Sequence, residues 1–303
     1  MTVPEECLNQ IMDLLAVNEG TTYGPDFSNG GSNASDDNPD TIALVTYRVD
    51  GDQIDSPTFE KVSKSLKHDQ QNTTAQRQAW KFFTELIPPQ DRQMVSEYRV
   101  FTDGPDNVLA AVEQTDSDPT KWKMEIDIED LGDQNVLAFT LVHEDAHLLT
   151  LTSQQVPPDI KLFNDPNNET LYNEEAAACS TYFTQEGCSK PNSYINQYYR
   201  HFWPSLTNEW KKIDLHANDS NPTKYYHMLY QFYLDHIDQF VDDYATTDPA
   251  EDIAETFAYF VYSPRPTGHA IKDQKILFFY QYPELVQARY QILINTCATV
   301  KSK

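Results

Sequence analysis

Residues 134–151 form the segment that most constrains how this chain can fold. Apolar residues flank a short polar stretch on both sides, which is typical of a helix buried in a core, and Asp133 is suited to cap its start. Residues four apart share a helix face, so His143 and His147 point in the same direction with Glu144 beside them. The segment therefore predicts a buried helix that brings two imidazoles and a carboxylate together. The flanking apolar residues are Val136, Leu137, Phe139, Leu141, Val142, Leu148 and Leu149.

The polar stretch reads His-Glu-x-x-His at 143–147. On a helix this pattern binds zinc through both histidines, while the glutamate between them acts as a general base in peptide hydrolysis. Because the chain has 8 histidines in 303 residues, the pattern would arise by chance in about one or two such chains in a hundred. The alternative is a pair of histidines at the edge of the core on an amphipathic helix.

A catalytic zinc site needs a third protein ligand and an open position for water. Leu-Leu-Thr-Leu follows the second histidine, so the third histidine of the HxxGxxH pattern is absent and the metzincin class is excluded. Peptide deformylases also use His-Glu-x-x-His, but their cysteine motif precedes it, whereas the similar residues 186–189 follow it here. A glutamate is therefore the expected third ligand.

Two places along the chain offer such a glutamate. Glu174 and Glu175 lie at a separation that a thermolysin-like enzyme accepts, but neither has an acidic residue four positions later to orient a ligating histidine. Glu251 has that partner in Glu255, on a helix that Asp248 is suited to cap. Asp248 and Glu251 also form a fair capping pair, in which Glu251 would bond to backbone instead of metal. Helix signals alone leave these two roles of Glu251 open.

A second motif lies at 244–258 and reads Tyr-Ala-Thr-Thr-Asp-Pro-Ala-Glu-Asp-Ile-Ala-Glu-Thr-Phe-Ala. Together with the upstream His-Glu-x-x-His, it resembles the zinc peptidases related to the anthrax lethal factor catalytic domain and the Pro-Pro endopeptidases. The resemblance covers two segments of about 15 residues each. It implies a gluzincin-type metallopeptidase with a zincin-like fold and one zinc ion per chain.

The same resemblance implies roles for individual residues. His143, His147 and Glu251 would bind the zinc. Glu255 would accept a hydrogen bond from a ligating histidine and fix its tautomer. Tyr244, seven residues before Glu251, would donate a hydrogen bond to the oxyanion. The 103 residues between His147 and Glu251 exceed the usual family spacing, so we expect inserted helices at about 165–225.

The function that these residues predict is a zinc-dependent endopeptidase in which Glu144 is the general base for attack by water. Two alternatives remain: a non-catalytic zinc-fold module for binding or adhesion, and a zinc hydrolase acting on a non-peptide substrate. Gluzincin-type peptidases bind substrate as an extra strand at the sheet edge beside the His-Glu-x-x-His helix. The strand just before that helix, 121–127, is the predicted edge, with Trp122 and Met124 shaping subsites, unless it is an ordinary sheet strand.

The net charge of the chain excludes some classes of binding partner. With 47 acidic and 22 basic residues the formal net charge is −25, which would repel phosphate backbones and anionic lipid headgroups. A peptide or protein substrate is expected, and nucleic acid is not. The sequence also contains no run of about 18 apolar residues, so we expect no membrane span.

The four cysteines bear on whether the protein is located in an oxidising or a reducing compartment. Cys179 and Cys188 lie nine apart, and Cys7 with Cys297 would tie the two ends of the chain together. An oxidising compartment permits both bridges, whereas in a cytosol all four would be buried thiols. Together with an acidic, loop-rich N-terminal segment, they favour a secreted, periplasmic or cell-surface protein.

The pattern of elements predicts an α+β fold. An N-terminal helix (4–17) and a surface loop (18–40) precede a catalytic domain at 41–303, which divides into an α+β half (41–132) and a mostly helical half (133–303). Strands are predicted at 41–50, 98–102, 108–113 and 121–127. Helices are predicted near 80–86 and at 134–151, 170–184, 191–202, 204–213, 223–242 and 249–262, with two more from 271 to the end.

Overall fold

The computed structural model describes residues 41–104, 108–217 and 222–300. These residues form one mixed five-stranded sheet and 11 α-helices, so the predicted α+β fold is confirmed. The strands precede residue 128 and the long helices dominate from residue 134 onward, as expected. The predicted helix at 4–17 and loop at 18–40 lie outside the described residues. No helix among those described is long and apolar enough to cross a bilayer.

The sheet has the strand order β2-β1-β3-β5-β4, and only β3 and β5 run parallel. β1 and β2 form a hairpin whose two-residue turn places Gly51 at φ +60°, a conformation that favours glycine. β2 was not predicted, because it is an edge strand with almost every side chain exposed and a proline within it, so it lacks apolar alternation. The strands are β1 (Ile42–Asp50), β2 (Gln53–Phe59), β3 (Val95–Thr102), β4 (Ala110–Thr115) and β5 (Asp118–Asp127).

The helices begin with two that precede β3, and the other nine follow β5. Their bounds are α1 (Lys67–Gln71), α2 (Thr73–Leu86), α3 (Gln134–Leu151), α4 (Ile160–Asn164), α5 (Glu169–Ala178), α6 (Tyr194–Phe202), α7 (Thr207–Asp214), α8 (Pro222–Asp235), α9 (Pro249–Tyr262), α10 (Ile271–Phe279) and α11 (Pro283–Thr299), with a 3₁₀ helix at Tyr244–Thr246.

The prediction that β5 forms the edge of the sheet is wrong. β5 lies between β3 and β4, and Trp122 and Met124 are 1% and 0% exposed, so neither can shape a subsite for substrate. The preceding strand β4 folds back on β5 as a tight antiparallel hairpin and covers the side that would otherwise be open. The edge beside α3 is therefore β4, which pairs with no other strand in the described part of the chain.

α3 is the central element of the fold. Thirteen of its residues are buried, and it packs against both α9 and β4. Asp133 caps it as predicted, accepting hydrogen bonds from the amides of Asn135 and Val136. The contact with α9 includes an aromatic pair, in which the Phe139 ring packs edge-on against Tyr259 at 5.7 Å. This pair contributes to the choice of which residues of α9 face α3.

Cys179 and Cys188 form a disulfide, which is one of the two bridges that an oxidising compartment permits. The helix predicted at 170–184 ends at Ala178, just before this bond. The chain after Cys179 turns into a short hairpin in which Phe183 pairs with Cys188. Cys297 is also disulfide-bonded. Cys7, which the sequence offers as a partner for Cys297, lies outside the described residues.

A buried ion pair connects α9 to α10. Lys275 Nζ lies 2.6 Å from Asp252 Oδ2, and both side chains are 0% exposed. Trp203 Nε1 donates to the same carboxylate at 2.8 Å, and the ammonium group lies 4.0 Å from the centroid of the Phe240 ring. Because Asp252 is adjacent to Glu251, this cluster holds the part of α9 that carries the predicted third ligand.

Replacing Lys275 should therefore destabilise the protein strongly. Lys275→Met leaves Asp252 buried without its cation, and we expect the free energy of unfolding in urea to fall by about 3–5 kcal/mol. Lys81→Met is the matched control, because it breaks an exposed ion pair with Glu85 and should cost only about 0.3–0.5 kcal/mol. Equal losses in the two variants would show that the buried pair has no special role in α9.

Candidate metal centre

The two long helices α3 and α9 bring the three predicted ligands together. The Nε2 atoms of His143 and His147 are 3.0 Å apart. Glu251 completes the group, with Oε2 at 3.0 Å from His143 Nε2 and Oε1 at 3.5 Å from His147 Nε2. One ligand atom from each residue falls within 4.8 Å of the others, and this is the one such group of histidine, cysteine or acidic residues in the described ranges.

The spacing fits a metal ion. A tetrahedral zinc ion with bonds of about 2.0–2.1 Å keeps its ligand atoms about 3.3 Å apart, and the three measured separations lie on either side of that value. Two imidazoles and one carboxylate are also the ligands of one common class of catalytic zinc sites. His143, His147 and Glu251 can therefore hold a metal ion.

The helix cap of α9 resolves the two roles considered for Glu251. Asp248 alone caps the helix, accepting hydrogen bonds from the amides of Ala250 at 2.5 Å and Glu251 at 3.1 Å. The carboxylate of Glu251 is directed to the two imidazoles instead of the backbone. The cap therefore uses the backbone amide of Glu251 and leaves the side chain of Glu251 available to the site.

The other candidate glutamates lie elsewhere. Glu174 is exposed, and Glu175 forms an ion pair with Lys161. Neither belongs to the histidine cluster. α5, which carries them, is thus not part of the metal centre.

Glu255 contacts the Nδ1 side of the His143 ring. Its Oε1 atom lies 2.7 Å from His143 Nδ1, and its side chain is 1% exposed. With its proton on Nδ1, on the side of this carboxylate, His143 would present Nε2 as the ligand atom, which is the orientation a metal site needs. Burial lowers the pKa of His143, but the charges of Glu255 and Glu251 outweigh it and raise the pKa well above its usual value.

Glu251 keeps its negative charge although its side chain is only 19% exposed. Burial would raise its pKa, but the positive charges of His147 and His143 lower it well below the ordinary value. The same carboxylate helps to raise the pKa of His147. A metal ion binding here would displace the imidazole protons, so its affinity should depend on pH.

Glu144 lies beside the cluster in a different environment. Burial is the largest effect and raises its pKa to about 7, although the charges of His143 and His147 oppose the shift. The backbone N–H of Val112 in β4 also opposes the rise in the pKa of this carboxylate. A carboxylate with a pKa near neutrality is suited to accepting and releasing a proton.

The outer side of β4 faces this carboxylate. Asp127 N donates to Leu109 O at 2.9 Å just before β4 begins, and backbone groups of antiparallel strands alternate between the two sides. The N–H and C=O groups of Ala110, Val112 and Gln114 therefore point away from β5 and toward the open edge. The position of the Val112 backbone N–H beside Glu144 could not be predicted from the sequence, because a backbone donor leaves no signal in residue type.

Tyr244 lies on the 3₁₀ helix just before α9. Its ring centroid is 5.8 Å from that of His143, which brings it to the predicted ligands. Burial raises the pKa of Tyr244 well above its usual range, and the carboxylates of Glu251 and Glu144 add to the effect. The phenol therefore keeps its proton and can donate a hydrogen bond.

No protein-family model, curated protein or solved structure matches this chain. What supports a function for the site is its own geometry, together with the resemblance carried by residues 143–147 and 244–258.

Removing the carboxylate of Glu251 should weaken metal binding. Glu251→Ala deletes a direct ligand, so we expect zinc affinity to fall by more than the ~10–100-fold that loss of an outer hydrogen-bond partner costs. Competition with a chromogenic chelator measures this directly. Glu174→Ala and Glu175→Ala are the controls and should leave the affinity unchanged; a loss in either of them would move the third ligand to α5.

Proposed function

We propose that this protein is a zinc-dependent endopeptidase. The observation that carries the proposal is the position of Glu144: this carboxylate is 7% exposed and lies between His143 and His147 in sequence, on the helix that packs against the edge strand β4. A metal-binding protein without catalysis has no need of a proton acceptor there. The resemblance to the lethal factor and Pro-Pro endopeptidase group supports the same reaction.

His143, His147 and Glu251 would hold the zinc ion. When bound, zinc lowers the pKa of a water and polarises a carbonyl. Glu144 would take a proton from the attacking water at its carboxylate and pass it to the nitrogen of the leaving amine. The backbone N–H of Val112, which acts on the pKa of this carboxylate, would favour its ionised form before the transfer.

Tyr244 would stabilise the oxyanion that forms on the substrate carbonyl. Its hydroxyl keeps its proton, as argued above, and its ring lies beside His143. A donor that is already positioned costs no reorganisation when negative charge develops. Asp248 and the start of α9 fix the segment that follows Tyr244, so the donor is held by the same helix that carries Glu251.

The substrate would bind as an extra strand along β4. The backbone groups of Ala110 and Gln114, with the carbonyl of Val112, point outward and can pair with an extended peptide. Since Val112 already contacts Glu144, a peptide in that position passes directly beside the proposed base. β4 thus takes the substrate-binding role that sequence analysis gave to β5.

Digestion of a diverse peptide library tests the reaction. Zinc-loaded wild-type protein should cleave peptides, whereas Glu144→Gln should bind zinc with unchanged affinity and lose turnover, because the amide cannot accept the proton. Mass spectrometry of the products would also define the cleavage site. Full activity in Glu144→Gln would contradict the mechanism.

The library also separates the two alternatives. Zinc binding without cleavage of any peptide would favour a non-catalytic zinc-fold module. Zinc-dependent hydrolysis of ester substrates alone would favour a hydrolase of non-peptide compounds.

The role of Tyr244 is tested by removing only its hydroxyl. Tyr244→Phe should lower kcat by about 10²–10³-fold, as loss of other oxyanion donors does. Zinc affinity should not change, because the phenol is not a ligand. Steady-state kinetics on a cleaved library peptide, with chelator competition alongside, measures both. An unchanged kcat would assign the oxyanion to another donor.

A further inference from the structure

Two tryptophans from the helices between the sequence motifs donate hydrogen bonds to the segment that leads into α9. Trp210 lies on α7, and its indole Nε1 donates to the backbone carbonyl of Thr247 at 2.9 Å. Trp203 directly follows α6, and its Nε1 donates to Asp252 Oδ2 at 2.8 Å. The two bonds therefore hold the segment on both sides of the start of α9.

The two indoles also contact each other. Their ring centroids are 5.9 Å apart at an interplanar angle of 88°, which is an edge-to-face arrangement. Trp203 is fully buried, so it fixes one side of the Trp210 ring. The first residue of α7 is held as well, because Thr207 Oγ1 donates to Trp203 O at 2.8 Å. Trp210 therefore presents its N–H from a fixed position.

The carbonyl of Thr247 needs a donor from outside α9. The first hydrogen bond of this helix runs from the amide of Asp252 to the carbonyl of its capping residue, Asp248, at 2.9 Å. Thr247 precedes the cap, so the helix does not use its carbonyl. Trp210 therefore supplies a donor that the helix cannot.

Thr247 is bonded directly to Tyr244. Its amide donates to the Tyr244 carbonyl at 3.0 Å, and the amide of Thr246 donates to the Asp243 carbonyl at 3.1 Å. These bonds close the 3₁₀ turn whose first residue, Tyr244, places its ring beside His143. A shift of Thr247 therefore moves the backbone that carries the phenol.

We propose that Trp210 is a positioning residue that holds Tyr244 beside His143 through the backbone of Thr247. The inference rests on the proposed function, because it gives Trp210 a part in orienting the oxyanion donor. It also gives α7, which belongs to neither sequence motif, a role at the site. A donor held in advance stabilises charge without reorganisation, so loosening the turn reduces that stabilisation.

The metal ligand on the same segment has supports of its own. Asp248 caps α9 and accepts from the amide of Glu251 at 3.1 Å. Asp252, the next residue, pairs with Lys275 at 2.6 Å. Loss of the Trp210 bond should therefore affect the oxyanion donor and leave the metal ligands in place.

Trp210→Phe keeps an aromatic ring and removes the N–H. We expect kcat on a cleaved library peptide to fall about 10-fold, which is less than full loss of an oxyanion donor costs, because the phenol is displaced but still present. KM and zinc affinity should stay within about twofold of wild type, since the bond supports neither substrate nor metal ligands.

Trp80→Phe is the matched control. Trp80 Nε1 also donates to a backbone carbonyl at 2.9 Å, that of Asp52, in the turn between β1 and β2. These strands form the edge of the sheet opposite β4. The control loses the same kind of bond and should keep the wild-type kcat.

A double-mutant cycle shows whether Trp210 acts through Tyr244. When Tyr244→Phe has already removed the hydroxyl, adding Trp210→Phe should lower kcat by less than about twofold, because no donor remains to be positioned. A further loss as large as in the single variant would overturn the role. An unchanged kcat in Trp210→Phe, or an equal loss in Trp80→Phe, would overturn it as well.

Amide hydrogen exchange gives a readout that does not need catalysis. Trp210→Phe should speed exchange of the Thr246 and Thr247 amides by about 2–10-fold, the effect of one hydrogen bond, and Trp80→Phe should not. Unchanged exchange in Trp210→Phe would overturn the positioning role whether or not the protein is a peptidase. Wild-type protein that cleaves no peptide would overturn the proposed peptidase alone, and exchange would then decide the role of Trp210. Urea denaturation of each variant identifies any loss that comes from unfolding.

Discussion

The structure depends on burying the polar groups of α3 without leaving them uncompensated. His143, Glu144 and His147 are all buried, and an ionised group removed from water without a partner costs several kcal/mol. α9 supplies the compensation, because Glu251 and Glu255 bring two carboxylates to the imidazoles. The edge strand β4 adds a backbone amide at Glu144. The groups proposed to carry the reaction are therefore also those that allow α3 to occupy the centre of the fold.

The carboxyl group of Asp145 on α3 lacks such compensation, and the buried Nδ1 atom of His147 also has no hydrogen-bond partner among the described residues. Asp145 is fully buried, and neither of its carboxyl oxygens has a hydrogen-bond partner among the described residues. Burial raises its pKa well above the usual range, with the carboxyl group of Asp91 adding, which favours the neutral acid. Neutrality avoids a buried charge but leaves polar atoms without hydrogen bonds, at a cost of about 1–3 kcal/mol. Asp145 lies between His143 and His147, and a local departure from stability rules is typical of functional segments.

The sequence predicted those parts of the fold whose signals are local. The bounds of α3 and α9 were correct, because each combines an apolar pattern with an aspartate cap, Asp133 or Asp248. The candidate third ligand was harder to predict. Helix signals left the role of Glu251 undecided between capping and metal binding, and only the resemblance assigned it to the metal. Contacts set by tertiary pairing were missed. The position of β5 inside the sheet depends on how β4 folds over it, and the amide of Val112 has no signature in residue type.

The rotation of α9 decides whether its glutamates reach the histidines, and one helix face alone cannot fix that rotation. Glu251 and Glu255 lie four apart on the face toward α3, whereas Asp252 is turned by about 100° and pairs with Lys275. A buried ion pair adds little net stability compared with apolar packing, so its value here is in specifying one arrangement. Any rotation that withdraws the glutamates from α3 also separates Lys275 from its buried partner. The ion pair and the metal centre therefore enforce the same position of α9 from two sides.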